Sequence, residues 1–305
     1  MRKEYIKITS NQDALLLDTL IMAPESPKAV LQLVHGMCEH KERYIPFMEF
    51  MVGQGYVCVI HDHRGHGGSI REAGDLGYFY ENGKEAVVED IYQVMSENKA
   101  RFGTLPYFLM GHSMGSLAVR CFARNYDSEL DGLIVCGSPS ANPMAGVGIG
   151  LVRLLQIFKG ARGRSKLVDG IVMGSFEKPF KKEQTKNSWL CSDKAVVEKY
   201  NADPLCGYSF TLNGYEALFG LMKDTYTKAD WQIAKPELPI HFIAGEKDPC
   251  ITNTKAFQAA VNFMKDRGYR NVTVRLYKNM RHEILNETGK EQVYKDVVAF
   301  CKRVV

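Results

Sequence analysis

Gly111-His112-Ser113-Met114-Gly115 sets a serine between two glycines, each two positions away. An apolar run, Tyr107 to Met110, precedes it, and the apolar positions of a helix, Leu117, Val119, Cys121 and Phe122, follow it. G-x-S-x-G between a strand and a helix is the nucleophile elbow. A serine at the tip of so sharp a turn sits in strained backbone, so only small residues fit two positions either side. Its hydroxyl then projects above a sheet. The helix starting at Met114 aims its N–H groups and its dipole at developing negative charge.

A serine hydroxyl is a weak nucleophile at neutral pH, so it needs a base, and the base needs an orienting carboxylate. On this architecture the partners follow in the order Ser, acid, His at the ends of later strands. A strand expected at 240–244 runs into Gly245-Glu246-Lys247-Asp248-Pro249 and offers two carboxylates. Asp248 is preferred, because it lies deeper in the loop and a proline fixes the turn after it. A strand expected at 272–277 leads to His282, the only histidine after position 241. Ser113, Asp248 and His282 are therefore the expected triad. The oxyanion hole needs the N–H of the residue after the nucleophile, Met114, and one from the loop after the strand at 30–34. His35-Gly36 turns the chain there, which nominates Met37. His35 and His112 are expected to hold loops, and Asp62, Arg64 and His66 to brace the site as a polar turn.

The elements that position these residues are readable in order. Residues 4–10 and 14–22 make a two-stranded start, and 29–34 and 56–60 are buried-type strands with a short helix at 44–54 between them. A helix at 84–102 leads to the elbow strand, and 133–136 is the strand after the elbow helix. The closing helix is 289–303. Apolar strands alternating with helices imply a parallel sheet covered on both faces. Ligands on such sheets bind at the carboxyl ends of the strands, where His35, Asp62 and Ser113 fall. About a hundred residues without a strong strand separate 133–137 from 240–244, whereas a βα unit needs about 30. The chain thus divides into a first core part, 1–141, a helical cap, 142–233, and a second core part, 234–305. In the cap, Val147, Leu151, Leu154, Leu155 and Phe158 recur at helical spacing. Leu151 and Leu155, with Phe210, Leu218 and Phe219, are candidates to house an apolar substrate chain.

The bulk numbers narrow the function. In 305 residues, 45% hydrophobic and 24% charged is a globular composition, and a net charge of +4 gives no support for nucleic-acid binding. The charge is uneven: residues 142–190 carry nine Lys or Arg against three Asp or Glu. A basic cap with an apolar face fits transient contact with an anionic membrane surface, or receipt of amphiphiles. The eight cysteines are scattered without C-x-x-C or zinc spacing, as buried thiols in a reduced, cytoplasmic setting would be. The first sixteen residues lack an apolar signal-peptide core, and no run reaches 18 apolar residues. No metal site and no phosphate loop is seen, so no cofactor is expected.

VHGMCEHKERY (34–44), HDHRGHGGS (61–69), GHSMG (111–115), AGEKDP (244–249) and RHE (281–283) occur in the order seen in α/β-hydrolases. More narrowly they resemble the monoacylglycerol lipase and lysophospholipase branch, also labelled serine aminopeptidase-like. The resemblance spans nearly the whole core and is poor in the cap. It implies the α/β-hydrolase fold, a mostly parallel sheet with a helical cap inserted after the strand that follows the elbow. It also implies Ser113, Asp248 and His282 as triad and Met37 and Met114 as oxyanion donors. In monoacylglycerol lipases the acidic and basic residues of H-G-x-x-E-H-x-x-R help bind the glycerol headgroup, and the matching positions are Glu39 and Arg43. Those lipases carry a second histidine three residues beyond the catalytic one, where this chain has Leu285. The reading that results is a serine carboxylester hydrolase acting on a small amphiphilic lipid ester, first of all a monoacylglycerol. The alternatives are a lysophospholipase, a broader esterase or acyltransferase with the same triad, and a non-catalytic ligand-binding protein. Nothing marks a site for a free amino terminus.

Overall fold

Eight strands form one sheet in the order β1-β2-β4-β3-β5-β6-β7-β8. They are β1 (Arg2–Thr9), β2 (Leu16–Ala23), β3 (Ala29–Val34), β4 (Tyr56–His61), β5 (Tyr107–His112), β6 (Gly132–Cys136), β7 (Ile240–Gly245) and β8 (Val272–Tyr277). The structure, a computed structural model, describes residues 1–304. β1 and β2 pair antiparallel, β2 joins β4 antiparallel, and every pairing from β4 onward is parallel.

The central strands are apolar on both sides because both faces are covered. Val30, Val57, Leu109, Val135 and Phe242 pack with α2 (Gly83–Phe102), α3 (Met114–Tyr126) and α8 (Thr254–Arg267). The alternate residues Leu31, Cys58, Met110, Ile134 and Ile243 pack with α1 (Ile45–Gly53) and α9 (Lys290–Lys302). Parallel strands bring all their carboxyl ends to one edge, so the loops after β3, β4, β5, β6, β7 and β8 meet there.

Between β6 and β7 no strand occurs among the described residues. That stretch holds α4 (Ala145–Lys159), α5 (Lys166–Glu177), α6 (Lys194–Ala202) and α7 (Leu212–Thr225). α7 packs on α3 and α2 as well as on α4, because Leu212, Tyr215, Leu218 and Leu221 are all buried in the larger core cluster. In α4 a Cβ on Gly148 would stand 3.0 Å from the Phe219 ring, so this glycine lets α4 lie close against α7. The apolar positions of α4 split between two surroundings. Val152 is fully buried, whereas Val147, Leu154, Ile157 and Phe158 are exposed. Among the described residues no helix is long and apolar enough to cross a membrane.

Candidate active site

β5 ends in the turn that the glycine spacing predicts. Ser113 has φ 54° and ψ −119°, a strained backbone for a residue with a side chain. A Cβ on Gly111 would lie 2.3 Å from the Gly115 carbonyl oxygen, and one on Gly115 would lie 2.1 Å from that of Val34. Both positions must therefore be glycine for the strand, the turn and α3 to pass so closely. The Ser113 N–H donates to the Cys136 carbonyl at 3.0 Å, which ties the elbow to β6.

The loops after β7 and β8 bring Asp248 and His282 together. His282 Nδ1 donates to Asp248, 2.9 Å from Oδ1 and 3.0 Å from Oδ2, with both side chains buried. Asp248 Oδ1 also accepts the Cys250 N–H at 2.8 Å, so the proline turn after Asp248 fixes the carboxylate. Glu246, the other carboxylate of that loop, is exposed. The Trp189 indole packs 5.0 Å from the His282 ring, and His112 Nε2 donates to the His282 carbonyl at 3.2 Å. Ser113 and His282 line one small cavity, although no hydrogen bond joins the hydroxyl to the imidazole. Such bonds commonly tighten only with substrate in place.

Three consecutive N–H groups follow β3, and two are taken. Gly36 donates to Glu39 Oε1 at 2.7 Å, and Cys38 donates to His66 Nε2 at 3.3 Å. The Met37 N–H between them has no acceptor among the described residues. The Met114 N–H, at the first position of α3, has no intrahelical acceptor either. Met37, Ser113 and Met114 line the same cavity. Two free donors beside a serine are what an oxyanion hole requires.

A charged network closes the side nearest α1. Arg43 Nη1 donates to Glu39 and to Glu283 at 2.7 Å each, and Nη2 donates to Glu283 at 2.6 Å. Tyr44 OH donates to Glu39 Oε1 at 3.0 Å, and the Arg43 guanidinium lies 4.8 Å from the Tyr200 ring centroid. Burial alone would push the Glu39 carboxyl up, but its bond to His112 and the charges of Arg43 and His112 hold it well below the usual carboxylate range. The same pairing outweighs the burial of His112, whose pKa rises above the ordinary imidazole value. His35, His63 and His66 have the opposite fate: burial drives all three down, His63 to about 4 and His66 to about 3. His35 Nε2 accepts the His63 N–H at 2.9 Å, and Asp62 accepts Lys41 N–H and Nζ at 2.7 and 2.8 Å. These groups hold loops, as their positions suggest.

An apolar cavity of about 520 Å³ opens at Ser113 and Met114. Leu218 and Phe219 line it, as expected, together with Ile171, Val172, Phe176 and Trp189. Leu151, Leu155 and Phe210 do not. Leu151 and Leu155 pack half-buried against the core, and Phe210 is fully buried, 5.1 Å from Phe79 and 5.6 Å from Tyr215. Helical periodicity shows that a face exists without showing what covers it, and the chamber is walled by α5, α7 and the loop at 139–143. Leu285 lines a smaller cavity with Arg43 and Glu39 and presents an apolar side chain there. Sequence reading missed Glu283, although it follows His282 directly, because its partner Arg43 lies 240 positions away. It also missed Trp189, for which no local signal exists.

Comparison with known proteins places this geometry. The family model described as "Serine aminopeptidase, S33" matches residues 25–289. Monoacylglycerol lipase from Mycolicibacterium smegmatis is 27% identical over 283 residues, covering 90% of this chain and 88% of that protein. Phospholipase YtpA from Bacillus subtilis is 22% identical over 282 residues, covering 92% and 98%. A highly thermostable carboxyl esterase from Bacillus coagulans, solved in complex with glycerol, superposes with a TM-score of 0.92 at 25% identity over 100% of both chains.

Proposed function

The chain belongs to the serine aminopeptidase S33 family and has the α/β-hydrolase fold of a serine hydrolase acting on carboxylic esters; we propose that its substrate is a monoacylglycerol, cleaved to fatty acid and glycerol. In this reading Ser113 attacks the ester carbonyl while His282 takes its proton and later returns it to the leaving alcohol. Asp248 holds the His282 tautomer and stabilises the imidazolium, and the Met37 and Met114 N–H groups receive the oxyanion. The observation that carries the reading is the apolar cavity of about 520 Å³ opening directly at Ser113. One long acyl chain is the ligand chemistry that it fits.

The small second cavity at Ser113 supports a neutral alcohol. Glu39, Glu283, Tyr200 and His112 line it, and no lysine or arginine does. Arg43 is spent on the two glutamates. Hydroxyl groups find acceptors there, whereas a phosphate finds no free cation. Glu39 and Arg43 then serve the headgroup mainly by shaping this wall. The charge of the helical stretch 142–233, which we take as the cap, favours a second reading, a lysophospholipase. Its nine basic residues over 142–190 share that stretch of chain with exposed Ile157, Phe158 and Leu167, a composition suited to an anionic membrane.

Fatty-acid release from monooleoylglycerol and from lysophosphatidylcholine, wild type beside Ser113→Ala, tests both. Loss of the nucleophile should lower kcat by at least about 10⁴-fold. Faster turnover of the monoacylglycerol supports the first reading. Faster turnover of the lysophospholipid makes the basic cap the specificity element, and turnover unaffected by Ser113→Ala would remove Ser113 from the mechanism.

A further inference from the structure

The Asp248–His282 pair has a third neighbour that ester hydrolysis does not use. Cys250 Sγ lies 3.9 Å from His282 Nε2, the nitrogen that must be free to accept the serine proton. One ligand atom each from Asp248, Cys250 and His282 lies within 4.8 Å of the others, and all three residues are buried. Cys250 lines the large apolar cavity and His282 the small cavity beside it, and Ser113 lines both, so the two ligand atoms are approached from the space around Ser113. Burial, and after it the Asp248 charge, pushes the Cys250 thiol well up, so the neutral thiol is the resting form and does not compete with the serine.

The arrangement matches the outer shell of a zinc site. Asp248 accepts from His282 Nδ1, which fixes the ring and sets the tautomer, as carboxylates do behind metal-binding histidines. Zinc sits about 2.0–2.1 Å from a histidine nitrogen and about 2.3 Å from a thiolate sulfur. Those lengths span the observed 3.9 Å separation at an N–metal–S angle of roughly 125°, open but compatible with tetrahedral binding.

We propose that His282 Nε2 and Cys250 Sγ form an inhibitory site for a borderline-soft divalent cation, Zn²⁺ or Cd²⁺, reached through the acyl cavity. Binding releases the Cys250 thiol proton to solvent and occupies the lone pair that would take the Ser113 proton. The remaining coordination positions are filled by water from the cavity. Mg²⁺ and Ca²⁺ prefer oxygen ligands and do not replace it. The proposal rests on His282 being the general base.

The test begins with chelator-treated protein labelled at Ser113 by a fluorophosphonate, with and without added Zn²⁺. Zn²⁺ should slow labelling at least about tenfold, EDTA should restore it, and Mg²⁺ should have no effect. Each variant is compared with its own metal-free rate. Cys250→Ala should raise the Zn²⁺ concentration for half-inhibition at least about tenfold, the scale on which altered metal shells act. Cys206→Ala should leave it unchanged. Cys206 belongs to the other cluster of this kind, His40, Asp203 and Cys206, and so controls for inhibition from elsewhere. Co²⁺ supplies a readout that needs no catalysis: the thiolate-to-cobalt charge-transfer band should appear in wild type and be absent in Cys250→Ala. Should the alanine variant fold poorly, Cys250→Ser replaces it and should likewise lack the band. Inhibition unchanged in both Cys250 variants, or relieved by Cys206→Ala, overturns the proposal. Absence of fluorophosphonate labelling in metal-free wild type is a different failure, that of the serine-hydrolase reading itself, and leaves the cobalt measurement to judge the metal site.

Discussion

Replacing Arg43 by alanine separates two accounts of the wall beside Ser113. If its ion pairs behaved like surface pairs they would contribute about 0.2–1 kcal/mol. The structure argues otherwise: the Arg43 side chain is 11% exposed, and Glu39 and Glu283 are 4% exposed each. Removal leaves two carboxylates in one dry wall, and breaking a buried pair costs about 3–5 kcal/mol. That is a large part of a native stability of about 5–15 kcal/mol, and at roughly 2–4 °C per kcal/mol the melting temperature should fall by about 6–20 °C. Activity should fall too, because Glu39 Oε1 holds the Gly36 N–H and so sets the conformation of Met37 beside it. Glu283→Gln keeps the shape and removes one charge. Combined with Arg43→Met, it should cost less than the two single changes summed, with a coupling of at least about 1 kcal/mol. Acid dependence gives a further check. The folded Glu39 carboxyl is held low, so its contribution is present above the unfolded carboxylate pKa and is lost as pH falls toward the folded value. That acid slope should flatten in Arg43→Ala. Urea and thermal melts followed by circular dichroism measure all of this. A cost under about 1 kcal/mol for Arg43→Ala, or no coupling in the cycle, would refute the buried-network account.

Three other outcomes are expected. His35, His61, His63 and His66 are all driven down by burial, so the unfolded chain, titrating near 6.5, binds more protons than the folded one. Stability should therefore be full above that value and decline as pH drops toward about 4, where His63 titrates in the fold; equal urea midpoints at about pH 7.5 and about pH 5 would contradict it. Val172→Phe narrows the acyl chamber and should shift preference to shorter esters, by roughly fourfold for each methylene, worth about 0.8 kcal/mol, that no longer fits. An unchanged chain-length profile of kcat/KM would mean that the acyl chain lies elsewhere. Ile157 and Phe158 are 77% and 79% exposed, and changing both to glutamate should weaken sedimentation with anionic vesicles while hydrolysis of a soluble short-chain ester is kept. Equal sedimentation would leave that patch without a membrane role.

What the chain discloses before folding follows from the range of the forces involved. The elbow is legible because its demands are local: two close backbone approaches exclude any Cβ at Gly111 and Gly115, and the strand and helix beside them have their own periodicity. The strand order then carries Asp248 and His282 to the same edge, since each apolar run must be buried on both faces of one parallel sheet. α8 is not among the elements read from sequence, although Phe257, Ala260, Val261 and Met264 repeat at helical spacing between an Asn253 cap and Gly268. That signal is present and local. The acyl chamber is different. The apolar residues of α4 satisfy a periodicity rule whether they face the core or solvent, and only packing against α7 decides that Val152 turns inward and Phe158 outward. Glu283 shows the same limit in charge. Its identity follows from nothing near it, since a buried carboxylate is tolerable only where a cation meets it, and Arg43 arrives from the far end of the chain. The proposed triad is thus written in short spacings, while the shape of the cavities beside it is written in contacts that exist only once the sheet has assembled. Homologous cores can for that reason keep one elbow and accept different esters, and experiments on substrate choice belong on α5, α7 and the Arg43 wall rather than on Ser113.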